Sequence, residues 1–169
     1  MSSTIEREFI RVVKMNFTSI KTYVEKSFDQ LNEEEIHICE GGETNSVAII
    51  MQHICGNLVS RFTNFLSADG EKPDRNRDSE FESQNLSKAL LLNKWENSWN
   101  ILFALLDNLS DEEIKTRTVY VRGEAHTVLE AINRQVWHYA FHAGQIVALA
   151  KKIKGDGWKN LSIPKKKSN

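Results

Sequence analysis

Residues 127–154 read TVLEAINRQVWHYAFHAGQIVALAKKIK. Within them Val128, Ile132, Tyr139, Ile146 and Ala150 recur at the spacing of one helical face, which predicts an amphipathic helix turned towards a core. Thr127 and Glu130 form a capping-box pair at its start, and lysines precede Gly155 at its end, where the helix dipole favours positive charge. Beside the apolar stripe runs a second one: Gln135, His138, His142, Gln145 and Leu149. The two histidines therefore border the buried side. A polar group there is costly unless it is satisfied, and imidazoles one turn apart can share a metal ion.

Three more helices are expected upstream. The first covers residues 3–28, with Ser3 and Glu6 as a capping box and Ile5, Phe9, Val12, Val13, Phe17, Ile20, Val24 and Phe28 on one face. The second covers residues 45–66, opened by Asn45 and stopped by Asp69-Gly70. The third starts near Ser87 and carries Leu91, Trp95, Leu102, Leu106 and Leu109 on its apolar side. With Pro73 and Pro164 the only prolines, nothing interrupts these runs.

The joins look alike. Leu31-Asn-Glu-Glu-Glu-Ile36 follows the first helix and Leu109-Ser-Asp-Glu-Glu-Ile114 the third. Each leads through a β-like stretch, Ile36-His-Ile-Cys39 or Thr118-Val-Tyr-Val-Arg122, into a histidine-bearing helix. This predicts an all-α fold: a four-helix bundle of two similar halves, with two long links able to pair as a small β-ribbon. One domain is expected over residues 1–160. Residues 161–169, with Lys165, Lys166 and Lys167, read as a solvated, flexible basic tail.

Composition excludes several function classes. Lys plus Arg (22) nearly balances Asp plus Glu (23), so no net field draws the chain to nucleic acid or to a membrane surface. No run approaches the ~20 apolar residues that span a bilayer. The opening Met1-Ser-Ser-Thr-Ile-Glu-Arg has no apolar signal core, so a cytoplasmic protein is expected. Cys39 and Cys55 form no disulfide framework and are expected as thiols, Cys55 in the core.

His53, on the second predicted helix, supplies a third imidazole. Its face carries Ser46, Ile49, Gly56, Asn57, Ser60 and Asn64, a row of small and polar side chains such as a cleft beside a ligand would need. Three histidines, His53, His138 and His142, would leave coordination positions open, as a catalytic or ligand-binding ion requires. Imidazoles alone suit Zn, Ni, Fe, Mn or Co. His37 and His126 lie in or beside the links and read as structural. Residues 69–83, DGEKPDRNRDSEFES, show no apolar period and read equally as a solvated loop or as a functional one.

The segments Asn45-Ser-Val-Ala-Ile-Ile-Met-Gln-His53 and His138-Tyr-Ala-Phe-His142-Ala-Gly-Gln-Ile146 resemble the DinB/YfiT-like superfamily, over nearly the whole chain. Asn57-Leu-Val-Ser60-Arg61, the run from Asp69 to Glu80, and Val121-Arg-Gly-Glu124-Ala-His-Thr-Val128 are similar to a bacterial branch of it without an assigned activity. The resemblance implies an up-down-down-up order of helices, a homodimer, and one divalent metal ion on His53, His138 and His142. It also implies a thiol-dependent S-transferase that activates a low-molecular-weight thiol such as bacillithiol against an electrophile. In that reading Arg61, Arg75 and Arg77 would bind carboxylates of the thiol, and Asn57 would contact the ligand or steady the metal site. The same arginines could instead pair with nearby acids. A non-catalytic, stress-related metal- or ligand-binding protein is the alternative. A metal-dependent hydrolase would need a general base, for which Glu124 is the candidate.

Overall fold

Hydroxyl side chains begin all five α-helices of the described residues. In the computed structural model, which describes residues 3–39, 41 and 44–163, Thr4 accepts from the Arg7 amide to open α1 (Ile5–Phe28). Ser46 accepts from Ile49 to open α2 (Val47–Phe62), and Ser87 from Leu90 to open α3 (Lys88–Asn108). Ser110 opens the short α4 (Asp111–Thr116) and Thr127 opens α5 (Val128–Lys154), each with a complete capping box. Two expected starts thus move by one residue, from Ser3 to Thr4 and from Asn45 to Ser46. The end of α2 moves further. Asn64 adopts φ 51°, a left-handed conformation that asparagine tolerates, so the helix stops at Phe62, short of the expected Leu66 and Asp69-Gly70.

The helices pack in pairs, α1 along α5 and α2 along α3, with α2 also meeting α5. Every residue of the predicted inner stripe of α5 is buried, as are Leu91, Trp95, Leu102, Leu106 and Leu109. Phe17, Trp99 and Tyr139 meet at the centre, with ring centroids 5.6–6.0 Å apart. Burying side chains of this size contributes about 1.5–3 kcal/mol each. Ile5 departs from its predicted face: it sits in the first turn of α1, before the core begins, and is exposed. One polar tie crosses the core, where the Tyr139 hydroxyl donates to Asn57 Oδ1 at 2.9 Å.

Among the described residues, the two links do not pair with each other. The first closes into a 3-10 turn, Glu35–His37, with Asn32 Oδ1 accepting from the Glu34 and Glu35 amides and the His37 ring meeting the Leu86 carbonyl at 3.1 Å. The second forms α4 and then a hairpin with itself, β1 (Thr118–Val121) antiparallel to β2 (Glu124–Thr127). Arg122 and Gly123, both at positive φ, make the two-residue turn that such a hairpin needs. The described residues of the first link form no strand.

Residues 69–83 are neither a free loop nor fully solvated. Asp69 accepts from the amides of Glu71, Arg122 and Gly123, fastening the segment to the hairpin turn. The chain then runs back over α2 to a 3-10 turn, Asp78–Phe81, that places Glu80 in the interior. The small, polar face of α2 is its seat. Gln52 Nε2 lies 3.0–3.2 Å from the carbonyls of Ser79, Glu80 and Glu82. Ser60 Oγ donates to the Gly70 carbonyl and accepts from the Lys72 amide. The segment covers only part of that face: Gly56, Ser60 and Asn64 also line an open cavity of about 630 Å³ between α2 and α3. Cys55 is buried and free, and burial pushes its thiol up to about 12; Cys39 is exposed. No helix of the described residues is long and apolar enough to cross a membrane. The expected basic run Lys165, Lys166 and Lys167 lies outside the described residues.

Candidate metal centre

Helices α2 and α5 bring His53, His138 and His142 together, with ligand atoms all within 4.8 Å of one another. His53 comes from the middle of α2, is 3% exposed and cannot turn away. His138 and His142 come from successive turns of α5 and are half-buried. Their Nε2 atoms stand 3.0 Å apart. The three residues lie close enough to hold a metal ion.

The outer nitrogens indicate which way the rings are set. His53 Nδ1 donates to Glu80 Oε2 at 2.8 Å. His138 Nδ1 faces Gln135 Oε1 at 3.2 Å and His142 Nδ1 faces Gln145 Oε1 at 2.8 Å. An oxygen acceptor at each Nδ1 holds the proton there and leaves each Nε2 with a lone pair, the tautomer that a metal ligand needs. Burial, then the neighbouring charges of His142 and His53, pushes His138 down to about 3. His142 is lowered as well, first by burial. Neutral rings are the ligating form.

Glu80 locks this arrangement from behind. It is 7% exposed, and besides His53 it takes a two-pronged contact from Arg75, Nε to Oε1 at 2.7 Å and Nη2 to Oε2 at 2.8 Å. Burial pushes its carboxyl up, but the hydrogen bonds from His53 and Arg75 outweigh that and hold it below the usual carboxylate range. Phe81 stacks on His53 with centroids 4.5 Å apart, and the Arg77 guanidinium lies 5.0 Å above the Phe81 ring. Gly56 makes room for the carboxylate, since a Cβ there would meet Glu80 Oε1 at 2.3 Å.

A cavity of about 200 Å³ opens beside the histidines, lined by His53, His138, Asn57 and Gln135 together with Arg61, Arg75, Arg77, Arg122 and Arg134. All four residues expected at a ligand site, Asn57, Arg61, Arg75 and Arg77, border it. Their partners differ. Asn57 is engaged by Tyr139. Arg75 is committed to Glu80 and Glu71, which makes it a wall of the cavity. Arg61 contacts Glu71 through Nη2 but leaves Nε and Nη1 without partners. Glu124 stands on the hairpin near His126, three-quarters exposed, and is not part of this lining.

Sequence reasoning missed Glu80, Arg122 and Arg134. Gln135 and Gln145 were visible on the histidine stripe, and their three-residue offsets from His138 and His142 signal side-chain pairing. For Glu80 the only local signal was Gly56, a small residue one turn after His53.

A family model described as "Protein of unknown function (DUF1572)" matches residues 4–167. No curated protein and no solved structure matches the chain.

Proposed function

Because the chain belongs to this family, whose description assigns no activity, we propose from the site itself that it is a divalent-metal protein of DinB-like type acting as a thiol-dependent S-transferase. One observation carries the reading: one ligand atom from each of the three imidazoles lies within 4.8 Å of the others, while each Nδ1 faces an oxygen. His53, His138 and His142 would be the ligands, and three imidazoles leave coordination positions open. An ion held there would supply Lewis acidity, lowering the pKa of a bound thiol or water towards neutrality. Glu80, Gln135 and Gln145 orient the imidazoles. Arg61 and Arg77 would face the carboxylates of a thiol such as bacillithiol, and Arg75 would support them through Glu71 and Glu80.

A hydrolytic reading is less well supported. The cavity lining includes no carboxylate, and Glu80 is already taken by His53 and Arg75. The up-down-down-up helix order and a homodimer belong to the same proposal, and the dimer is checked by light scattering of the eluted protein.

The activity test uses monochlorobimane. Metal-loaded protein with bacillithiol should join the thiol sulfur to the bimane carbon with release of chloride, and His142→Ala should not. Absence of metal-dependent turnover with every low-molecular-weight thiol tried would remove the transferase reading. If metal binding persists in that case, the non-catalytic binding protein is what remains.

A further inference from the structure

Five guanidinium groups converge on the cavity beside the imidazoles, and the positive charge is not balanced. Arg61, Arg75, Arg77, Arg122 and Arg134 line it without any acidic residue among the lining. Glu71 is shared by Arg61, Arg75 and Arg122, at 3.0, 3.2 and 3.1 Å. Glu80 serves Arg75 and His53. The nearest carboxylate to Arg77 is the exposed Asp78, 4.0 Å away. Among the described residues no carboxylate lies within ion-pair distance of Arg134. Five cations thus stand against Glu71, Glu80, the exposed Asp78 and Asp69, whose charge also reaches Arg61.

Arg61 is the most telling of the five. Its side chain is 9% exposed, yet Nε and Nη1 have no hydrogen-bond partner. A buried, unpaired guanidinium edge is costly unless something arrives to satisfy it, and its geometry matches a carboxylate or a phosphate. Burial lowers its pKa, with Glu71 opposing and the charges of Arg75 and Arg122 adding to the fall, but the guanidinium remains charged.

We infer that this arginine cavity binds a small anionic ligand, through carboxylates or a phosphate, with its anionic end on Arg61, Arg122 and Arg134. Arg122 and Arg134 are exposed and can reach the ligand as it enters, whereas Arg61 waits inside with an unfilled edge. Placing the ligand's reacting end at His53 and His138 rests on the metal-centre reading above. The anion-binding half stands on the arginines alone.

That separation allows a test in chelator-treated, metal-free protein. Isothermal titration at low ionic strength uses malonate, inorganic phosphate and uncharged malonamide as probes. The expected result is binding of malonate, phosphate or both, none of malonamide, and weakening as salt is raised. Malonate alone would identify carboxylates as the source, and phosphate alone a phosphate group. Arg134→Gln and Arg122→Gln, both at exposed positions, should each weaken binding about tenfold with unchanged circular dichroism. No heat with either anion overturns the inference, and so does binding that neither substitution alters. Equilibrium dialysis with zinc keeps the two readings apart. Anion binding without zinc binding removes the metal centre and leaves this site standing; zinc binding without anion binding does the reverse.

Discussion

Replacing Gly56 by alanine tests how the histidines are held. In the interior of an exposed helix, Gly→Ala stabilises by about 0.5–1 kcal/mol because glycine loses more backbone freedom on folding. Here the added Cβ would lie 2.3 Å from Glu80 Oε1 and 2.6 Å from its carboxyl carbon. An ordinary carbon–oxygen contact is about 3.3 Å, so the carboxylate must retreat by about 1 Å. It cannot do so freely. His53 holds one oxygen at 2.8 Å, Arg75 holds both, and Gln52 grips the backbone on either side. Retreat breaks charge-assisted hydrogen bonds worth about 1.5–3 kcal/mol, which outweighs the propensity gain. Gly56→Ala should therefore be less stable by about 1–2 kcal/mol, a fall in Tm of roughly 2–8 °C for a chain of this size. Loosening His53 should also weaken metal binding about 10- to 100-fold, although no ligand or charge has been removed. Thermal unfolding of the metal-free protein and competition with a chromophoric chelator measure the two effects. A variant as stable as wild type, with unchanged metal affinity, would refute the locking role of Glu80.

Other outcomes follow from the same geometry. His142→Ala should lose the rise in Tm that excess metal confers, about 2.7 kcal/mol at a hundred times Kd, while circular dichroism without metal stays unchanged. His138 is held far below its unfolded pKa, so between about pH 3 and pH 6.5 the unfolded chain binds the extra proton. Stability of the metal-free protein should thus be complete above pH 6.5 and fall on acidification through that window, less steeply in His138→Gln; a melting profile flat from pH 7 to 4 would contradict this. Asp69→Ala removes the acceptor of three backbone amides and should cost about 1–2 kcal/mol, read by urea unfolding, while the metal stoichiometry stays as in wild type.

What could be read from the chain depended on the range of the interaction. The inner stripe of α5, the Thr127 and Glu130 capping box and the i, i+4 pair His138 and His142 depend on helical periodicity, and all were legible. His53 was legible because its neighbours on α2 are small and polar where a core helix would carry leucine. The purpose of those neighbours was not. They seat residues 70–82, a contact made with chain several turns further on, and periodicity carries no record of it. The expected ribbon between links failed for a related reason. A β-like composition does not choose its partner, whereas a turn does, and Arg122-Gly123 provides one within the second link.

The sequence by itself determined the four long helices, most of their buried faces and the three imidazoles, since each follows from local spacing along one helix; the short α4 read only as an acidic turn. Tertiary structure alone decided that the imidazoles face one another, that Glu80 stands behind His53, and that Arg122 and Arg134 join Arg61 around one cavity. Those groups lie tens of residues apart and are assembled by packing and by Asp69 clamping the hairpin turn. The three-histidine site was visible as a set of ligands. Its orientation and its charged surroundings exist only in the folded chain.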